Sequence, residues 1–137
     1  MNRIERQYEL SVVPSEGIEQ LHTALASFWD EAGVAPEAQI RFNTAIAEVV
    51  ANILQYAVGP GDGSIQLRLR STPARIEARL VDRGRAWERP AIATSLPEDW
   101  HESGRGLAIA GAILDTLQYR RFRNLNCWRL VLVVRHG

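Results

Sequence analysis

The chain opens on a clean alternation of apolar and polar positions. From Arg6 to Val13, Tyr8, Leu10 and Val12 alternate with Gln7, Glu9 and Ser11, the period of a strand with one buried face. Pro14 ends that run and Ser15 offers an N-cap. Ile18, Leu21, Leu25 and Phe28 then recur at helical spacing until Gly33, which predicts a first amphipathic helix. Pro36 suits the first turn of a second helix, carried by Ile40, Phe42, Ala45, Ile46, Val49, Val50, Ile53 and Leu54 to about Ala57. This helix is apolar on most of its circumference, so it is expected at the centre of the fold. After a Gly-Pro-Gly-Asp-Gly turn at Gly59 to Gly63, Ile65, Leu67 and Leu69 alternate with polar neighbours, and the alternation returns at Ile76, Ala78, Leu80 and Asp82. The two runs predict a hairpin. Residues 83–103, with Trp87, Pro90, Pro97 and Trp100, carry no sustained period and read as a long ordered loop, a kind that is usually functional in a compact domain. A third helix is predicted over Gly104 to Leu117, then strands near Leu117 to Arg123 and Cys127 to Arg135, joined by a turn at Asn124 to Asn126. The order predicts one α+β domain spanning residues 1–137, a two-layer sandwich with helices on one face of a mixed β-sheet.

Composition narrows the chemistry more than the fold. Among 137 residues, 46% are apolar, enough for a real core. No run of about 18 apolar residues occurs, and the opening MNRIERQYEL lacks the apolar centre of a signal peptide, so a soluble, cytoplasmic protein without a membrane partner is expected. The single cysteine, Cys127, rules out an internal disulfide and a multi-cysteine metal site. His22, His101 and His136 are too scattered to suggest a ligand set. Sixteen basic and sixteen acidic residues cancel, so nothing draws the whole molecule toward nucleic acid or anionic lipid. All sixteen basic residues are arginines, which excludes a P-loop lysine, a Schiff base and a lysine-based kinase site.

Three short stretches carry candidate chemistry. Glu48 and Asn52 lie four apart in the second helix and so project from one face. A simple polar stripe accounts for the pair; the functional alternative gives the Asn52 carboxamide oxygen to Mg²⁺, which prefers oxygen ligands, and sets Glu48 to orient or deprotonate a nucleophile near a γ-phosphate. Asp82 ends a strand two residues before Gly84. An Asp-x-Gly turn is one reading. The other uses the carboxylate as an acceptor for the exocyclic amino group of adenine, with Gly84 allowing the base near the backbone. Ser103-Gly104-Arg105-Gly106-Leu107 opens the third helix; it is either an ordinary glycine-rich start or an anion site built on free N–H groups and the helix dipole, with Arg105 adding positive charge.

In this order, Glu-x-x-x-Asn on a helix, Asp-x-Gly after a strand and Gly-x-Gly-Leu into a helix resemble the GHKL ATPases, which share the Bergerat ATP-binding fold. The short length and the N-terminal strand-helix-helix look like the anti-sigma factor serine kinases of bacterial partner switching, over roughly residues 5–135. The family's motifs commonly read E-x-x-x-N-A-x-x-H, D-x-G-x-P-F and G-R-G-L. By match, the resemblance implies Glu48 as general base, Asn52 as Mg²⁺ ligand, Asp82 as adenine reader, and Gly84, Gly104 and Gly106 as backbone glycines, with Ser103, Arg105 and Leu107 in the same phosphate-binding stretch. The chain departs at Ile53, at Tyr56 where histidine is frequent, and at Ala86-Trp87 in place of Pro-Phe.

The function implied by this resemblance is that of a Mg·ATP-dependent serine kinase that phosphorylates an anti-sigma factor antagonist and otherwise sequesters a sigma factor, as a homodimer by analogy. A nucleotide-dependent protein-binding module without phosphotransfer is the alternative. A sensor histidine kinase catalytic domain fits less well, since no helix pair bears a phosphoacceptor histidine.

Overall fold

The structure is a computed structural model that describes residues 3–87 and 102–134, the side chains of 102–104 excepted. Strand β1 (Ile4–Ser11) leads into helix α1 (Pro14–Glu31) and helix α2 (Pro36–Asn52), which continues as a π-helical turn over Ile53–Ala57. The hairpin β2 (Ser64–Ser71) and β3 (Arg75–Asp82) follows, then helix α3 (Glu102–Ile113) and a second hairpin, β4 (Thr116–Phe122) and β5 (Leu125–Val133). The strands form one sheet in the order β1-β2-β3-β5-β4. None of the described helices is long and apolar enough to cross a membrane.

The two-layer α+β arrangement is as the periodicity predicts, but the sheet is antiparallel at every pairing rather than mixed. The connection through α3 does join two strands running the same way, β3 and β4. Strand β5 lies between them and pairs antiparallel with both, so no parallel neighbours result.

Local chemistry moves several boundaries. Helix α1 starts at Pro14 itself, with Val13 in the capping position and no side-chain cap. Proline suits a first turn whose N–H groups lack intrahelical partners. The expected Ser15 cap is therefore replaced, and the Val13 N–H is met instead by Ser11 Oγ at 3.0 Å. Helix α3 ends at Ile113 although Leu114 and Leu117 continue its apolar spacing. There the chain turns into the sheet, where the Asp115 N–H donates to the Val131 carbonyl at 2.9 Å and Asp115 Oδ2 accepts the Val133 N–H at 2.7 Å. The final turn is Arg123-Asn124, not Asn124 to Asn126, because Phe122 already pairs with Leu125.

Alternation gives the sheet two different faces. Leu10, Leu67, Leu69, Ile76, Ala78, Leu80, Leu130 and Leu132 are buried against Leu21, Leu25, Phe28, Phe42, Ile46, Val49 and Val50 from α1 and α2. Apolar burial of this kind contributes about 1.5–3 kcal/mol per large side chain. Trp29 belongs to this layer: its ring meets Phe28 and Phe42 edge-on at 5.4 and 6.1 Å, and its Nε1–H donates to Asn43 Oδ1 at 2.9 Å. The opposite face of the sheet carries arginines around the buried Glu77.

Candidate functional site

Helix α2 and its π-helical turn form the wall on which the three sequence motifs meet. Glu48 lies half-buried in the last turns of α2, and a Cβ built on Gly106 of α3 would come within 2.4 Å of Glu48 Oε2. Five residues after Asn52, the Ala57 carbonyl accepts the Arg85 N–H at 2.9 Å. A Cβ on Gly84 would come within 2.2 Å of that same carbonyl oxygen, so only glycine allows this backbone approach. Asn52 stands between the two contacts. Widening the last turn of a helix to i→i+5 bonds redirects its carbonyls; here the Val58 N–H reaches back to the Ile53 carbonyl at 3.1 Å and Ala57 is left to meet Arg85.

Asn52 is 6% exposed, and its Oδ1 has no hydrogen-bond partner among the described residues. Asp82 is 1% exposed; its Oδ1 accepts from the Gly84 N–H and from Asn126 Nδ2, both at 2.8 Å, while Oδ2 has no partner among the described residues. Leaving such atoms buried without a partner costs about 1–3 kcal/mol each, a cost functional sites commonly carry. Both bare atoms are acceptors. They suit a cation or an N–H donor and would repel an anion. Burial pushes the Asp82 carboxyl above its ordinary range and Asp62 adds to the rise, while hydrogen bonds from Asn126 and Gly84 and the Arg121 charge pull it partly back.

Residues that the sequence left as background complete this corner. Asn126, 1% exposed on β5, lies directly opposite Asp82. Its Nδ2 also donates to the Arg85 carbonyl at 2.7 Å, and its Oδ1 accepts from the Tyr119 hydroxyl at 2.5 Å and from Arg121 at 3.0 Å. Arg121 further donates to the Gly84 carbonyl at 2.8 Å. Although exposed, it is thereby tied to this corner. The signal available in sequence was a carboxamide within an apolar strand pattern, where asparagine is disfavoured; its opposition to Asp82 is a matter of register.

Two departures from the family motif prove to be neighbours. Tyr56, in the π-helical turn, meets the Trp87 ring edge-on at 6.5 Å, and Trp87 meets Trp128 at 6.2 Å. The Trp87 N–H donates to the Tyr119 hydroxyl at 2.8 Å. The third departure, Ile53, is core at 1% exposure.

Within the glycine-rich stretch, Leu107 is buried at 1% and anchors α3, and Arg105 is exposed. Ser103 and Gly104 lie in the first turn of α3, where N–H groups lack intrahelical acceptors. His136 and the whole of residues 88–101, which hold Trp100, His101 and most of the expected loop, fall outside the described residues.

No curated protein matches this chain. The model of one family, the histidine kinase-like ATPase domain, matches residues 15–132, a span that holds Glu48, Asn52, Asp82 and Gly106; the chain belongs to that family.

Proposed function

We infer that this protein is an anti-sigma factor that uses Mg·ATP to phosphorylate a serine of an anti-sigma factor antagonist. The observation that carries the reading is a pair of buried acceptors with no partner among the described residues, Asn52 Oδ1 on α2, one turn after Glu48, and Asp82 Oδ2 at the end of β3. Asp82 Oδ2 accepts the adenine amino group, a contact that guanine, with a carbonyl at that position, cannot make. Asn52 Oδ1 holds Mg²⁺, which offsets phosphate charge when bound. The N–H groups at the start of α3 receive phosphate oxygens. Glu48 takes the proton of the attacking seryl hydroxyl as its oxygen bonds to the γ-phosphorus and ADP departs. Sigma-factor binding and homodimer formation follow from family resemblance.

The test is calorimetric titration with ATP and with GTP, each with and without Mg²⁺, followed by transfer of labelled γ-phosphate to candidate antagonists. Magnesium-dependent binding of ATP over GTP, with label on serine, is the expected result. Binding without transfer to any serine-bearing partner would instead identify a nucleotide-dependent binding module, and absence of ATP binding would overturn both.

A further inference from the structure

The outer face of the sheet, away from the helices, carries an organised cationic surface. Register places Arg68 of β2, Arg79 of β3 and Arg129 of β5 side by side on consecutive strands, which lie about 4.8 Å apart. One step along, Glu77 is 3% exposed and collects Arg70 at 2.7 Å, Arg129 at 2.7 Å and Arg79 at 3.2 Å. Burial pushes the Glu77 carboxyl up, but hydrogen bonds from Arg129 and Arg70 and their charges outweigh it and hold it at about 2. This carboxylate acts as a hub: it accepts hydrogen bonds from Nε of Arg79 and of Arg129, which fixes their stems. A fork held this way loses less freedom on meeting a ligand.

One hub carboxylate cannot neutralise so many guanidinium groups. Arg120, opposite Cys127, adds another, and the other described acids of this face, Glu5 and Glu9, stand on β1, at the far edge from β4. The chain as a whole carries no net charge, so the excess is local. Between the arginines runs a groove of about 560 Å³, lined by Arg79, Gln118, Arg120, Phe122, Cys127 and Arg129. Its floor includes the half-buried Val81 and Cys127, and Phe122 stands 53% exposed at the rim.

We propose that this face docks an acidic protein segment with apolar side chains among its carboxylates. The carboxylates pair with Arg79, Arg120 and Arg129, and the apolar groups cover Val81, Cys127 and Phe122. Charge complementarity selects this occupant. A second copy presenting the same face would set arginine against arginine, and a nucleic acid would leave the apolar floor uncovered on a protein without the net positive charge such partners draw on.

The experiment uses the whole protein and fluorescence anisotropy. The probes are a labelled synthetic peptide of repeated Glu-Glu-Leu, its Gln-Gln-Leu counterpart and a labelled oligothymidylate of equal charge. Arg68→Glu with Arg120→Glu is the test variant, because neither arginine is bound to Glu77. The acidic peptide is expected to bind, to weaken as salt rises and to lose about tenfold in affinity in the variant, while the neutral peptide does not bind. The variant's melting temperature and ATP titration, both expected to match wild type, separate loss of this surface from misfolding and from failure of the nucleotide site. Absence of acidic-peptide binding at low salt, equal binding by the variant, oligothymidylate bound as tightly, or self-association through this face by light scattering would each overturn the proposal.

Discussion

Asp82 and Asn126 face each other directly across the β3–β5 ladder, and the Asn126 amide donates to Asp82 Oδ1 at 2.8 Å. With the Gly84 N–H on the same oxygen, one side of the carboxylate is engaged twice and the other has no partner among the described residues. Asn126→Leu removes donors to Asp82 and to the Arg85 carbonyl and the acceptor for Tyr119 and Arg121. The expected outcome is a loss of about 2–3 kcal/mol in urea unfolding, with ATP affinity reduced about tenfold or more by calorimetry. Unchanged ATP affinity would show that Asp82 needs no such support.

Under the proposed function the same carboxyl sets an acid limit on ATP binding. Its folded-state value lies above the ordinary one because burial disfavours the charge. The ionised form therefore costs stability: this contribution is most favourable below the ordinary value and is lost as pH rises through the folded one. In the proposed function adenine recognition needs the ionised acceptor, so ATP binding would draw the value down. ATP affinity is expected to fall as pH drops toward that raised value, and binding there should release protons, measurable by calorimetry in buffers of different ionisation enthalpy. Asp82→Asn should abolish both effects and the preference for ATP over GTP.

Two glycines separate stability from chemistry. At Gly84 an added Cβ meets backbone, the Ala57 carbonyl at 2.2 Å, whereas at Gly106 it meets the tip of a flexible side chain, Glu48 Oε2 at 2.4 Å. Gly84→Ala is expected to cost about 2–4 kcal/mol. Gly106→Ala should stay within about 1 kcal/mol of wild type, since alanine favours a helix, yet impair phosphotransfer by displacing Glu48. Thermal melts and label transfer measured side by side decide whether the two effects part in this way.

Glu48→Gln keeps the shape of the side chain and removes its basicity. Phosphotransfer is expected to fall by about 100-fold or more with ATP titration nearly unchanged. If transfer survives in this variant, another group removes the seryl proton.

Glu77 offers an acid-stability test away from the nucleotide. Its carboxyl is held at about 2 against an ordinary 4.5. A depressed value contributes stability that is present above the ordinary value and lost as pH falls through the folded one. Glu77→Gln should therefore be less stable near neutrality by on the order of 2–3 kcal/mol, with the gap closing between pH 4.5 and about 2. A constant gap across that range in urea titrations would contradict the arginine hub.

Much of the fold was legible because its elements are long and regular. The alternation at Leu67 and Leu69 and the helical spacing at Ile46, Val49 and Val50 each bury one consistent face. What stayed hidden was set by partners distant in sequence. Nothing in the run around Asn126 shows that it stands opposite Asp82, nor does the pattern around Arg121 show that its guanidinium reaches the Gly84 carbonyl. Helix α3 looked longer because apolar spacing continues through Leu114 and Leu117, and only the bonds from Asp115 into β5 turn the chain. The motif residues Glu48, Asn52, Asp82 and Gly106 could be named in advance, whereas the crowding that requires glycine at position 84 depends on a π-helical turn that periodicity does not report.

Because β5 sends alternate side chains to opposite sides, its tolerance of insertions and deletions is uneven. An extra residue in the Arg123-Asn124 turn lengthens a loop at the rim. A single residue added or lost between Asn126 and Leu132 would invert every side chain beyond it, driving Arg129 into the apolar layer while Leu130 emerged among the arginines. Length variation among descendants of this chain is thus confined to its turns, and the nine residues of β5 can change in kind but not in number.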